Sequence, residues 1–349
     1  MVYGKERMMR PRLHKDFVKP MIWREGPAGL FPSEVFWMEG AKDMEGFQGS
    51  FAFGYARGNG KLMPLDGHLV HPFDTVLAFV ALTHGEILDL GGTVSIEIGE
   101  EREAYTFDKS QVVALPKGTQ YGNVTVSGFD HPFGFYTIYL APEYSAIEIP
   151  GAELKDPVPG EKYKGYNQLY AWAVDQETGE ALHDGGAIDY DGSGMGYTKL
   201  TDERGVMHPL TNMGPGGMGP GNADELLWVF GDQMQGFELN TLWGHYTGCG
   251  IWHRGGDSHT HPNEEILCVV SLDPDDPINL GAEVEIALGD EDERCVANVS
   301  NIWICPKNFP HLPETTRWVE RPFAFFVINL DGTHDSPWKD KEGNRIEHS

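Results

Sequence analysis

The chain has 349 residues, 40% hydrophobic and 23% charged, a length and composition that correspond to about two globular domains with sizeable cores. Its 26 Lys and Arg against 53 Asp and Glu leave a net charge of −27, which repels phosphate backbones and excludes nucleic acid as an expected partner. No apolar run of about 18 residues occurs, so no membrane-spanning helix is expected. Residues 1–15, rich in Lys, Arg and His, lack the apolar stretch of a signal peptide. The four cysteines, Cys249, Cys268, Cys295 and Cys305, have the spacing of neither a zinc knuckle nor a disulfide framework. Cys268 and Cys305 sit in apolar runs and read as buried thiols, so a reducing, cytoplasmic setting is the expectation.

Residues 1–43 read as an N-terminal arm. Pro11, Pro20, Pro27 and Pro32 stop any long helix, and the basic residues mixed with Phe17, Ile22 and Trp23 suit packing on the body or on a neighbouring subunit. Across 44–141, residues 93–98 alternate apolar and polar as a half-buried strand does, 111–115 form a short apolar strand ending at Pro116, and 133–140 form a last strand. Turn formers in 82–92 mark a hairpin. Residues 142–233 differ in character. Glycine runs at 191–196 and 214–221 fit a flexible linker, yet Tyr197, Met207, His208, Met213 and Met218 among them fit a lid or subunit contact. Residues 234–331 return to the first pattern, with strands at 283–288, 301–305 and 323–330, and 332–349 form a tail.

The return is a register. At a constant offset of 190 residues, Met44 matches Met234, Gly54 Gly244, His71 His261, Leu77 Leu267, Gly91 Gly281, Ile96 Ile286, Pro116 Pro306, Phe133 Phe323 and Leu140 Leu330. No gap is needed between 71 and 140, so the chain carries an internal duplication. Strands at this spacing predict an all-β fold of two antiparallel barrels or jelly rolls.

The second copy holds the chemistry. His259 and His261 are two apart, a spacing that puts both imidazoles on one face of a strand, and Glu265 shares that parity. His311 follows from a distant segment. Three imidazoles and a carboxylate suit one divalent transition metal (iron, manganese, zinc, nickel or copper) better than calcium or magnesium.

His259-x-His261-x-x-x-Glu265 and Pro306-x-Asn308-x-x-His311 resemble the two signature motifs of the cupins. The resemblance implies tandem cupin barrels, a bicupin, at 44–141 and 234–331, with metal held by His259, His261, Glu265 and His311. Three positions differ from the family pattern: Leu272 and Asn308 stand where it has glycine, and Thr315 where it has asparagine. In the first copy the four ligand positions are Leu69, His71, Thr75 and Tyr121, so no metal is expected there. His68 and Asp74 flank His71 without sharing its strand parity. That barrel reads as structural support.

Around the second site, His245 on the strand-like 241–247 is a candidate general base. Arg254, Trp252 and Trp303 are candidates for substrate binding, with Trp303 and Trp318 also read as core or wall. Glu264 is expected to face away from the ligands. The expected activity is that of a metal-dependent enzyme cleaving a C–C bond in a small phenolic, enolic or 1,3-dicarbonyl substrate, as some bicupin dioxygenases do. A redox-neutral hydrolase, decarboxylase or isomerase and a non-catalytic ligand-binding bicupin are the alternatives. The arm and the glycine-rich segment offer routes to assembly as a homo-oligomer.

Overall fold

The computed structural model describes residues 12–164, 167–169, 223–231, 234–252 and 258–332. The glycine- and methionine-rich stretch and Arg254 lie outside these residues. Nearly all described secondary structure is strand, arranged as two barrels, each made of two facing sheets.

The two barrels repeat one strand order. In the first, the larger sheet runs Gln111–Leu115, Thr75–Ala81, Phe133–Tyr139, Ser50–Ala56, Val35–Glu39. In the second, it runs Asn301–Cys305, Glu265–Ser271, Phe323–Asn329, Thr241–Tyr246, Glu225–Val229. The strands Val35–Glu39 and Glu225–Val229 lie outside the windows 44–141 and 234–331, and each extends its sheet. The facing sheets are built around Asp89–Ile98 with Gln120–Ser127, and around Asn279–Leu288 with His311–Val319.

The duplicated Gly91 and Gly281 have a steric cause. Both have positive φ, at 65° and 70°. A Cβ on Gly91 would meet the His131 ring at 2.5 Å, and one on Gly281 the Arg321 side chain at 2.2 Å. Only glycine fits that approach.

The arm packs on its own chain. Val18–Pro20 pairs with the outer edge of Asn301–Cys305 in the second barrel, and Asn167–Leu169 caps the equivalent edge, Gln111–Leu115, in the first. Covering these edges removes exposed rows of backbone donors and acceptors. Phe17 and His14 then reach Phe309, with ring centroids 5.2 and 5.0 Å away, on the turn before His311.

The first barrel encloses its own apolar interior, which includes Leu69, Leu77, Phe79, Val113 and Val124. A second cluster fills the other barrel and continues across the interface between the two. There, strand residues facing out of each barrel meet. Phe53 stacks on Trp243 at 5.7 Å, and Tyr136 on Phe326 at 5.0 Å. Such pairs add about 0.5–1.5 kcal/mol each beyond their burial. Trp243 Nε1 donates to the Ala81 carbonyl at 3.2 Å, and Tyr55 to Ser271 O at 2.8 Å, so both of these polar groups are satisfied across the seam. Cys268, Cys295 and Cys305 are buried free thiols, and Cys249 is an exposed one.

Candidate metal centre

The four residues of the two motifs converge. One potential ligand atom from each of His259, His261, Glu265 and His311 lies within 4.8 Å of every other, and all four residues are buried. His259 Nε2 and His311 Nε2 are 2.8 Å apart. Glu265 Oε2 is 3.1 Å from His261 Nε2 and 3.2 Å from His311 Nε2. Neighbouring ligands on an octahedral ion with bonds of about 2.1 Å are separated by about 3.0 Å. The site therefore has the dimensions of one first-row transition ion.

Local structure explains the convergence, though not by the strand parity expected from the sequence. The strand begins at Glu265, and 260–264 lie in the loop before it. Pro262 cannot donate a ladder hydrogen bond, which keeps this stretch out of the sheet. His259 is instead fixed by a two-way bridge to His311: each backbone N–H donates to the other's carbonyl, at 3.0 and 3.1 Å. Asn308 N donates to His261 O at 2.6 Å, tying the second motif to the first.

That turn survives the loss of the family's glycine. Asn308 has φ 59°, and its counterpart Gly118 has φ 80°. Asparagine tolerates the left-handed region better than other side chains. Gly118 N makes the same bond in the first barrel, to His71 O at 2.8 Å.

The surroundings orient the ligands. Phe309 O accepts from His311 Nδ1 at 3.0 Å, which leaves Nε2 bare and facing the cluster. Asn329 Nδ2 donates to Glu265 Oε1 at 3.0 Å and turns the other carboxylate oxygen inward. Burial opposes the charge of Glu265, but His261 and His311 beside it outweigh burial and hold the carboxyl well below the usual carboxylate range. The carboxylate is thus in the protonation state a cation needs.

The first copy is bonded differently. His71 Nδ1 donates to Ser145 O at 2.8 Å, and Nε2 accepts from Tyr121 Oη at 3.0 Å. His68 is paired with Glu97 at 2.9 Å, and Asp74 accepts from Lys117 N at 2.8 Å, so neither flanking residue is directed at His71.

Among the other candidates, His245 requires correction. It lies on the same face of Thr241–Tyr246 as Trp243, turned toward the first barrel, and donates from Nε2 to Ala81 O at 3.0 Å. The pairing of the barrels, invisible in one strand's sequence, decides that orientation. Trp252 is a buried wall: it stacks on Tyr246 at 4.2 Å and donates to Thr316 Oγ1 at 2.6 Å. Trp303 pairs with Leu267, two residues beyond Glu265, so it faces the barrel interior on the ligand side. Trp318, read as core or wall, is instead 50% exposed. Glu264 faces away from the ligands and accepts from Gln48 N in the first barrel at 3.0 Å.

Two residues escaped the sequence reading. Asn329 replaces Tyr139 of the first copy, and Glu314 replaces Val124. Glu314 is 1% exposed. Burial, with the charge of Glu265 nearby, pushes its carboxyl well above the usual range, so it is a neutral acid. Scanning the duplication for positions apolar in one copy and polar in the other would have found both.

No family model matches the chain, and no curated protein matches it by sequence. The strand order is that of two tandem barrels, with the candidate ligand set in the second. The solved structures agree. A tryptophan-to-phenylalanine variant of oxalate decarboxylase from Bacillus subtilis superposes with a TM-score of 0.51 at 10% identity, covering 90% of this chain and 77% of that one. A variant of the same protein with four consecutive residues replaced gives 0.50 at 10% identity, covering 91% and 78%. The chain has the bicupin fold.

Proposed function

We propose that the chain is a metal-dependent bicupin enzyme that cleaves a C–C bond in a small, oxygen-rich substrate at the second barrel. The observation that carries this is the ligand cluster, in which three imidazole groups and one carboxylate meet at the spacing of a single ion. Four protein ligands would leave one or two positions on a bound ion for substrate oxygens. When bound, the metal supplies Lewis acidity to a substrate carbonyl or carboxylate. Of the chain's own groups, Asn329 holds Glu265 in place, Trp252 and Tyr246 wall the interior, and Trp303 offers an indole N–H to it.

Between a dioxygenase and a redox-neutral lyase, we favour the second, with a dicarboxylate or 2-oxo acid as substrate class. The buried, unpartnered carboxyl of Glu314 supports it, because burial favours its protonated form and a decarboxylation ends by protonating carbon. The likeness in fold to oxalate decarboxylase is compatible with that choice and does not by itself carry it.

Metal analysis of the purified protein, with oxygen uptake followed on dicarboxylates, 2-oxo acids, phenols and 1,3-diketones, tests this. We expect one transition metal per chain, lost in the double variant His259→Ala/His311→Ala, and an acid consumed without oxygen uptake. Uptake matched to substrate loss would select the dioxygenase. Metal retained in the double variant would refute the site.

A further inference from the structure

His311 and Glu314 are three residues apart, which on a regular strand would put them on opposite faces. The pairing with Asn279–Leu288 shows why they are not. Leu288 is opposite His311, and Ile286 is opposite Glu314, so two residues on one strand span three on the other. The extra residue is a β-bulge, with Leu312 at φ 84°. Ile286 and Leu288 are both fully buried in the barrel, and partners across the ladder share a face. Glu314 therefore points into the barrel with His311. Its Oε1 is buried and has no hydrogen-bond partner. The indole Nε1 of Trp303, which faces the same interior, also has none.

The first barrel is the internal control. Its ladder is irregular at the same place, between Gly122 and Thr125, and its inward residue there is Val124, fully buried. Val113 occupies the Trp303 position. The fold is thus satisfied by valine at both sites. The carboxyl and the indole occur in the copy that has the ligands and are absent from the copy that lacks them. A barrel has no structural use for an unpaired acid, whereas a polar substrate beside the ligands would meet both groups.

We propose that Glu314 is a catalytic residue, the proton donor that completes C–C cleavage at this site, with Trp303 Nε1–H holding a substrate oxygen. The inference rests on the redox-neutral reading above. For a carboxylate substrate, the bond between the carboxylate carbon and its neighbour breaks, CO2 leaves, and the electron pair stays on the neighbouring carbon. That carbon takes the proton from the Glu314 carboxyl. The resulting carboxylate recovers a proton from water, so that carboxylate and water give the protonated product, CO2 and hydroxide.

The test combines infrared spectroscopy and turnover on the full chain loaded with manganese(II), with oxalate as the probe. Wild type should show a protonated-carboxyl stretch at neutral pH that Glu314→Gln removes and that oxalate shifts. Glu314→Gln and Glu314→Val should keep the metal content and lose turnover by about 10²- to 10⁴-fold, with Glu314→Asp restoring part of it. Glu314→Val keeps the test sound if glutamine misfolds, since valine already occupies the equivalent position. Absence of the stretch in wild type, undiminished turnover in either variant, or loss of metal from both would overturn the proposal. If wild type consumes no acid but shows the stretch and its shift with oxalate, the reading of the reaction fails while the placement of a substrate-facing acid stands.

Discussion

Replacing Glu314 by valine should make the protein more stable, and increasingly so as pH rises. The carboxyl is 1% exposed and one of its oxygens has no partner, a burial that costs about 1–3 kcal/mol. Valine removes that cost. It is two heavy atoms smaller, and the space left offsets roughly 1 kcal/mol of the gain. The pH term follows from the raised pKa. Below the ordinary value of 4.5, folded and unfolded chains both hold the proton and the term vanishes. Above it, the unfolded chain releases the proton and the folded chain keeps it, so the wild type loses about 1.4 kcal/mol of stability per pH unit until its folded pKa is reached. The advantage of Glu314→Val should therefore be about 1 kcal/mol near pH 4 and should widen as pH rises above 4.5. Urea unfolding of both proteins at these pH values, after metal is removed with a chelator, measures it. A gap independent of pH, or a variant less stable than wild type, would refute the reasoning that an unpaired neutral acid is buried there.

Other expectations concern the shell and the seam. Asn329→Leu removes the donor that orients Glu265, and manganese(II) titration should show affinity weakened about 10- to 100-fold; unchanged affinity would mean Glu265 needs no such support. His245→Ala should retain turnover while thermal or urea unfolding shows a loss of about 1–3 kcal/mol, because His245 bonds Ala81 across the barrel interface; loss of turnover in a folded variant would return it to the active site. Asn308→Ala should cost about 1–2 kcal/mol and Asn308→Gly nothing or less, since the position has φ 59°; equal effects in unfolding measurements would show that the turn is not left-handed in solution.

Much of this could be read in advance. The constant offset between the copies located both barrels, and the ligand set was legible because metal chemistry admits few residue types. The turn at Asn308 was legible from Gly118 at the same offset. The edges of the repeat were less so: Val35–Glu39 and Glu225–Val229 lie where the two copies share too few residues to align, although both join the same position in the sheet. His259 and His261 were expected to converge through strand parity, whereas a bridge from His259 to His311 brings them together.

The sequence by itself determined the repeat, the β architecture and the four residues of the candidate metal cluster, because each is written as residue type at fixed spacing. Which way a side chain faces was another matter. His245 was a candidate base on a strand-like stretch, yet a second barrel lies against its strand and claims that face. Glu314 has the spacing of an outward residue, yet a bulge of one residue turns it toward the ligands. Both outcomes depend on the partner a strand pairs or packs with, and that partner is chosen by contacts between residues far apart in the chain.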